Sequence, residues 1–205
     1  MMMKRLEKII PAVILLAVTA AGLRVLQGTS PARLPDRYGQ PAEPSRLLDA
    51  ALAYTETRPK YKSAYYASGY PDDGYGTCVD VIGIALRDCG YDLQQRVDDD
   101  IRAHPERYDI DVPDRNIDFR RVRNLRAYFA ANAEVLTTDV HDIESWQAGD
   151  IVIFTDHIGM ISDRRNRNGI PYVIHHANPL QLRYEEDILE KYNDITLHCR
   201  VKLEE

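Results

Sequence analysis

The spacing of apolar residues changes from a helical to a strand period in the C-terminal half of the chain. Earlier, apolar residues recur every three or four positions at 45–58, 78–89 and 119–132, which predicts three amphipathic helices. Later, short apolar runs alternate with turn residues at 151–154, 158–162, 172–175 and 195–203, which predicts antiparallel strands. Because the helices precede the strands instead of alternating with them, the predicted class is α+β.

The first 44 residues carry the pattern of an export signal followed by a linker. Lys4, Arg5 and Lys8 precede an uncharged, mostly apolar run at 9–23, which is short for a membrane-spanning helix and fits a secretory signal. Four prolines and two glycines within 25–44 favour an extended linker. We therefore expect a signal peptide or membrane anchor at 1–24, a linker at 25–44 and one folded domain at 45–205. The expected location is periplasmic or extracellular, with membrane contact only through the N-terminal segment.

The charge of the chain argues against a nucleic-acid partner. The formal net charge is −6, whereas nucleic-acid-binding proteins usually present a basic patch. One arginine cluster departs from this balance, and we interpret it as a solvated helix face: Arg120, Arg121, Arg123 and Arg126.

The three cysteines leave at least one free thiol. Cys78 and Cys89 are predicted on one helix, about 16 Å apart, which is too far for a disulfide, whose Cα atoms lie within about 7 Å. A pair between Cys89 and Cys199 stays open.

Cys78 is the candidate nucleophile. It follows Gly76 and Thr77 and opens the helix predicted at 78–89. The positive end of the helix dipole favours a thiolate there, and the first backbone N–H groups suit an oxyanion. The alternative is a buried structural cysteine, which is common for this residue type.

His157 is the candidate general base, since it begins a predicted strand directly after another strand. The next strand ends in His175 and His176, and side chains alternate along a strand, so only one of the two can face His157. That residue would orient His157 as the third member of a triad. Asp80 and Asn178 are weaker supporting candidates. A zinc site formed by Cys78, His157 and His175 is an alternative use of the same residues, although no short ligand pair of the C-x-x-C kind occurs.

The run GDIVIF…HIGMIS…YVIHH resembles the strand pattern of NlpC-type, papain-like cell-wall peptidases. The chain more closely resembles the bacterial family called domain of unknown function 1287, through GTCVDVIGIALRDCGYDLQ, PDRNIDFRRVRNL, AGDIVIF, HIGMISD and VIHHANP. These resemblances imply a papain-like fold, with the cysteine-bearing helix packed on a small antiparallel sheet. They also imply Cys78, His157 and His175 as the catalytic triad. The sequence departs from the expected patterns at Thr77, Phe119, Arg123 and His176.

These observations predict an exported cysteine hydrolase that needs no cofactor and no metal. Its expected substrate is an amide outside the cytoplasm, and cell-wall peptidoglycan peptides are the obvious class. This step rests on fold analogy and location. The alternatives are an acyltransferase or transpeptidase with the same triad, and an inactive module that only binds cell-wall ligands.

Overall fold

The computed structural model describes residues 46–203, so the signal predicted at 1–24 and the linker at 25–44 lie outside the described residues. The described part of the chain contains four α-helices and eight strands. In chain order they are α1 (Arg46–Glu56), β1 (Lys60–Tyr61), β2 (Tyr75–Gly76), α2 (Cys78–Asp88), α3 (Leu93–Ala103), α4 (Val122–Asn132), β3 (Glu134–Leu136), β4 (Ile151–Phe154), β5 (Ile158–Arg165), β6 (Pro171–Ile174), β7 (Glu185–Glu186) and β8 (Ile195–Arg200). None of these helices is long and apolar enough to cross a bilayer.

The larger sheet has six strands in the order β3-β8-β4-β5-β6-β7, and every neighbouring pair is antiparallel. β4, β5 and β6 follow one another along the chain and lie side by side, as the short apolar runs predicted. β1 and β2 form a separate parallel pair just before α2. The predicted α+β class is confirmed.

The central strands of the sheet are buried on both faces, which explains their continuous apolar runs. Ile151 and Ile153 of β4 face a large core formed with the helices. Val152 and Phe154 face a second cluster that includes Trp146. Helices α1 and α2 pack against β5, and α4 packs against β3 and β8. Helix α2 is thereby held against the middle of the sheet.

The helix predicted at 119–132 begins later than expected. Phe119 belongs to a separate 3-10 turn, Asp118–Arg120, and Arg121 has an extended backbone before α4 starts at Val122. Asp118 does not cap α4; its carboxylate accepts the backbone N–H of Asp114 at 2.6 Å. Helix α4 begins late because the 3-10 turn ends at Arg120. The side chain of Arg120 is buried and does not continue a solvated helix face.

Helix α3 was not predicted from the sequence. Seven of its eleven residues are polar, and this obscures a buried stripe formed by Leu93, Val97 and Ile101. Asp92 caps the helix by accepting the backbone N–H of Gln95 at 3.0 Å. The short strands β1, β2, β3 and β7 were also missed, since two or three residues carry no detectable period.

Candidate active site

Cys78 is the first residue of α2, which confirms the helix start predicted there. The chain reaches it through β2, and Thr77 has an extended backbone immediately before the helix. The approach is close, because a Cβ on Gly76 would lie 2.2 Å from the hydroxyl oxygen of Tyr54. All three cysteines are free; Cys78 is partly exposed as a residue, whereas Cys89 and Cys199 are buried.

A buried ion pair anchors the first turn of α2. Nε and Nη2 of Arg120 donate to the Asp80 carboxylate at 2.8 and 2.9 Å. Asp80 also accepts the backbone N–H of Thr77 at 2.7 Å and its hydroxyl at 3.0 Å. The interpretation of Arg120 as part of a solvated face is therefore wrong, because its side chain is buried against a carboxylate that needs a partner.

The turn between β4 and β5 brings His157 to the same end of α2. The backbone N–H of Ile158, the next residue, lies close enough to the Cys78 thiol to lower its pKa. The turn is tied on its other side, where the Asp194 carboxylate accepts the backbone N–H of Thr155 at 3.2 Å. His157 thus directly precedes the residue whose backbone N–H acts on the candidate nucleophile.

His157 is the first of three side chains that hydrogen bonds join in a row. Its Nε2 lies 2.9 Å from Nδ1 of His175, and the two rings are nearly perpendicular. Nε2 of His175 lies 3.1 Å from Oε2 of Glu186. His175 directly follows β6, and Glu186 ends the neighbouring strand β7. Of the two adjacent histidines, His175 is therefore the one that contacts His157.

Burial keeps the groups of this site neutral. It raises the pKa of the Cys78 thiol to about 11 and outweighs the backbone N–H groups of Ile158 and Val79, which lower it. It also lowers the pKa of His157 to about 4, with a further lowering from His175. The pKa of His175 is likewise lowered to about 4, first by burial and then by His176. A neutral thiol and two neutral imidazoles are expected at neutral pH, so the helix start does not by itself favour the thiolate as predicted.

His176 lies beside this row but makes different contacts. Its ring meets those of Tyr61 and Tyr184 edge to face, with centroids 5.3 and 5.0 Å apart. The side chain is buried, and its Nδ1 has no hydrogen-bond partner within residues 46–203. Tyr61 in turn lies near the nucleophile, since its pKa is raised first by burial and then by Cys78. His176 and these tyrosines form an aromatic wall next to the thiol.

The remaining candidates have local roles. The Asn178 side chain accepts the backbone N–H of Leu180 at 2.9 Å and shapes the turn after β6. Of the positions that depart from the resembled families, Phe119 packs on Tyr70, and Arg123 pairs with Asp109 at the surface.

No group of three potential ligands within 46–203 is arranged to hold a metal ion, so the described geometry does not favour the zinc alternative.

Two contributors to the site were missed by the sequence analysis. Glu186 lies eleven residues after His175 on a two-residue strand, and no local pattern marks it. Gln181 supports the same histidine, because its Nε2 donates to the carbonyl oxygens of His175 and Arg183 at 3.2 and 2.8 Å. Its Oε1 accepts the backbone N–H of Ala177 at 2.5 Å. Only the strand pairing and the turn bring these residues to the site.

Comparison with known proteins gives a family and a relative. The family described as Domain of unknown function (DUF1287) matches residues 48–201. A protein of Escherichia coli (strain K12) described as "Uncharacterized protein YijF" is 36% identical over 140 residues, which cover 64% of this chain and 67% of the relative. No solved structure matches the chain. The matched residues include every side chain of the site described above.

Proposed function

This chain belongs to the DUF1287 family, and from that premise we propose that it is a thiol hydrolase that cleaves an amide bond through an acyl-enzyme on Cys78. One observation carries the proposal. A cysteine at a helix start lies near the backbone N–H of Ile158, the residue after His157, and His157 is oriented by a hydrogen bond to His175. A nucleophile, a base and a group that orients the base are the parts that acyl transfer requires.

The neutral state of the site indicates how the thiol would be activated. Because the pKa of Cys78 is raised and that of His157 is lowered, the thiol proton passes to His157 as the sulfur attacks the carbonyl carbon. The backbone N–H groups at the start of α2 are suited to the carbonyl oxygen as it becomes an oxyanion. His157 then gives its proton to the leaving amine, and the amide C–N bond breaks.

Hydrolysis of the thioester completes the cycle. His157, neutral again, takes a proton from a water molecule that attacks the acyl carbon, and the acid product leaves as the proton returns to the Cys78 sulfur. Apart from the substrate and one water molecule, these steps use only side chains and backbone groups of this chain. His175 acts through the ring of His157 and does not need to change its own protonation.

The order of these residues also supports a papain-like arrangement of the NlpC type as part of the proposal. The cysteine opens a helix, the base begins a later strand, and the orienting residue follows the next strand. Together with the export signal predicted at 1–24, this arrangement favours an extracytoplasmic amide, and peptidoglycan peptides are the first class to test. That choice rests on analogy and location.

Alkylation of Cys78 tests the chemical basis of the proposal. Iodoacetamide is applied to the wild type and to His157→Ala at several pH values, and mass spectrometry reads each cysteine separately. If His157 acts as general base, Cys78 reacts at neutral pH faster than its small thiolate fraction permits, and His157→Ala removes this excess. Cys89 and Cys199 serve as internal controls, because both are free, and neither forms a hydrogen bond with His157 among the described residues.

A trapped acyl-enzyme tests the reaction itself. Peptidoglycan peptides are incubated with the wild type, Cys78→Ala and the control Cys89→Ser, and intact masses are measured after rapid acid quenching. The proposal expects an added acyl mass on Cys78 only, and loss of hydrolysis only in Cys78→Ala. Products joined to an added amine would identify an acyltransferase. A Cys78 that reacts like the two buried thiols, whatever residue 157 is, contradicts the proposal and favours a binding module.

A further inference from the structure

We infer that Glu186 is a positioning residue of this site, which acts through His175 to determine which ring nitrogen of His157 is free to accept a proton. This inference rests on the proposed function for the role of His157 as general base. The hydrogen bonds that link Glu186, His175 and His157 do not depend on that function. It concerns a residue two hydrogen bonds away from the base and on the edge strand β7.

The first step is the contact between Glu186 and His175. An ionised carboxylate only accepts hydrogen bonds, so Oε2 of Glu186, 3.1 Å from Nε2 of His175, requires that this nitrogen carry the proton. A competing donor is close, since Nε2 of Gln181 lies 3.4 Å from the same nitrogen. Both amide hydrogens of Gln181 are already directed to the carbonyl oxygens of His175 and Arg183. The carboxylate therefore holds the proton on Nε2 of His175.

The second step passes from His175 to His157. With its proton on Nε2, a neutral His175 has an unprotonated Nδ1 that can only accept. Nε2 of His157, 2.9 Å away, must then be the donor. The proton of His157 is thus held on Nε2, and its Nδ1 keeps the lone pair. Within residues 46–203, that Nδ1 forms no other hydrogen bond, so it is free to take the thiol proton.

The third step is electrostatic. When His157 becomes an imidazolium during acyl transfer, its positive charge lies in a buried site where an isolated charge is costly. The Glu186 side chain is 39% exposed while that of His175 is 3% exposed. The row of hydrogen bonds thus connects the buried imidazolium to a side chain that is partly exposed to water.

Imidazole side chains already favour the proton on Nε2. An informative variant must therefore favour the opposite arrangement, with the proton on Nδ1 of both rings. Glu186→Lys does this, because an ammonium group only donates and would require an unprotonated Nε2 on His175. The order would then reverse, and Nδ1 of His157 would carry the proton. Glu186→Gln is the conservative variant, because its amide oxygen still accepts. Glu185→Gln is the matched control on the same strand, since Glu185 bonds Ser162 and Arg164 instead.

The ring protons are read by ¹⁵N NMR of the full-length chain labelled at its six histidines, with signals assigned through His157→Gln and His175→Gln. We expect an unprotonated Nδ1 on His157 in the wild type, Glu186→Gln and Glu185→Gln, and a protonated Nδ1 in Glu186→Lys. Alkylation of Cys78 at neutral pH is expected to fall about tenfold or more in Glu186→Lys, as when a general base is lost, and to stay near wild type in both glutamine variants.

Two results would overturn the inference. One is a protonated Nδ1 on His157 in the wild type, which needs no variant to fold. The other is a Glu186→Lys protein with a wild-type circular dichroism spectrum, unchanged ring signals and unchanged alkylation. Failure of the proposed function looks different: the ring order would be as inferred, but no amide substrate would acylate Cys78.

Discussion

At the scale of single residues, the site separates its charged pair from its neutral reacting groups. Asp80 lies two residues after Cys78 and raises the thiol's pKa, after the larger effect of burial. Arg120 satisfies both oxygens of this carboxylate in the interior. Without the guanidinium, a buried negative charge would remain unpaired in the first turn of α2, two residues after the nucleophile.

We therefore predict that Arg120→Leu lowers the free energy of unfolding by about 3–5 kcal/mol, the usual cost of leaving one buried charge without its partner. Urea denaturation monitored by circular dichroism measures this change. Arg123→Leu is the matched control, because the pair of Arg123 with Asp109 is exposed and should contribute about 0–1 kcal/mol. Equal losses in the two variants would show that the buried pair has no special role.

At the scale of elements, the sequence predicted those with a clear apolar period and missed those without one. Helices α1 and α2 and the strands β4, β5, β6 and β8 were predicted with errors of a few residues at their ends. Helix α3 carried a usable signal in Leu93, Val97 and Ile101, four residues apart, which its polar composition obscured. The start of α4 was misplaced because Arg120 turns inward to a carboxylate forty positions earlier, and no local pattern reports such a contact.

The start of α2 depends on a close approach that a small change can test. Since a Cβ at position 76 would lie 2.2 Å from the Tyr54 hydroxyl oxygen, Gly76→Ala should cost about 1–3 kcal/mol of stability, as overpacking typically does. The Tyr54 hydroxyl has no hydrogen-bond partner among the described residues, so Tyr54→Phe alone should cost little.

The double variant Gly76→Ala with Tyr54→Phe should therefore recover most of the lost stability, because the atom that clashes is gone. A double-mutant cycle by urea denaturation measures the coupling, and Cys78 alkylation reports whether the helix start has moved. Additive losses in the double variant would mean that the backbone at Gly76, and not the hydroxyl contact, sets the cost.

At the scale of the whole molecule, hydrogen-bond networks that start at a motif residue are completed by side chains from distant strands. The Asp150 of the GD motif is an example: its carboxylate lies 3.1 Å from Nε2 of the buried His198 and accepts two hydrogen bonds from Arg200. The physical role of this aspartate is to join the start of β4 to β8. The active-site row is similar, since the sequence predicted Cys78, His157 and His175 but could not supply Glu186, which reaches His175 only through strand pairing.

The same buried histidines should make the stability of the whole domain depend on pH. His157 and His175 have pKa values of about 4 in the folded protein, against about 6.5 in an unfolded chain. Between these values the unfolded chain binds protons that the folded chain does not, so the free energy of unfolding must fall as pH decreases from about 6.5 to about 4. Between pH 7 and pH 5 the loss should be on the order of 1–2 kcal/mol for each histidine.

Urea denaturation at pH 7, 6 and 5 measures this loss, and the double variant His157→Gln, His175→Gln is the comparison. The variant is expected to be less stable at pH 7, because the hydrogen bond between the two rings is replaced, but its stability should change less from pH 7 to pH 5. What remains of the change should come from groups such as His176, whose pKa is also lowered by burial. An equal pH dependence in the two proteins would mean that the two histidines are protonated as easily in the folded state as in the unfolded one. Burial would then not hold the two imidazoles neutral, and the neutral starting state of the proposed reaction would lose its support. An ion pair between Cys78 and His157 would show a different sign: the wild type would gain stability relative to the variant as the pH falls from 7 to 5, because the folded pKa of His157 would be raised.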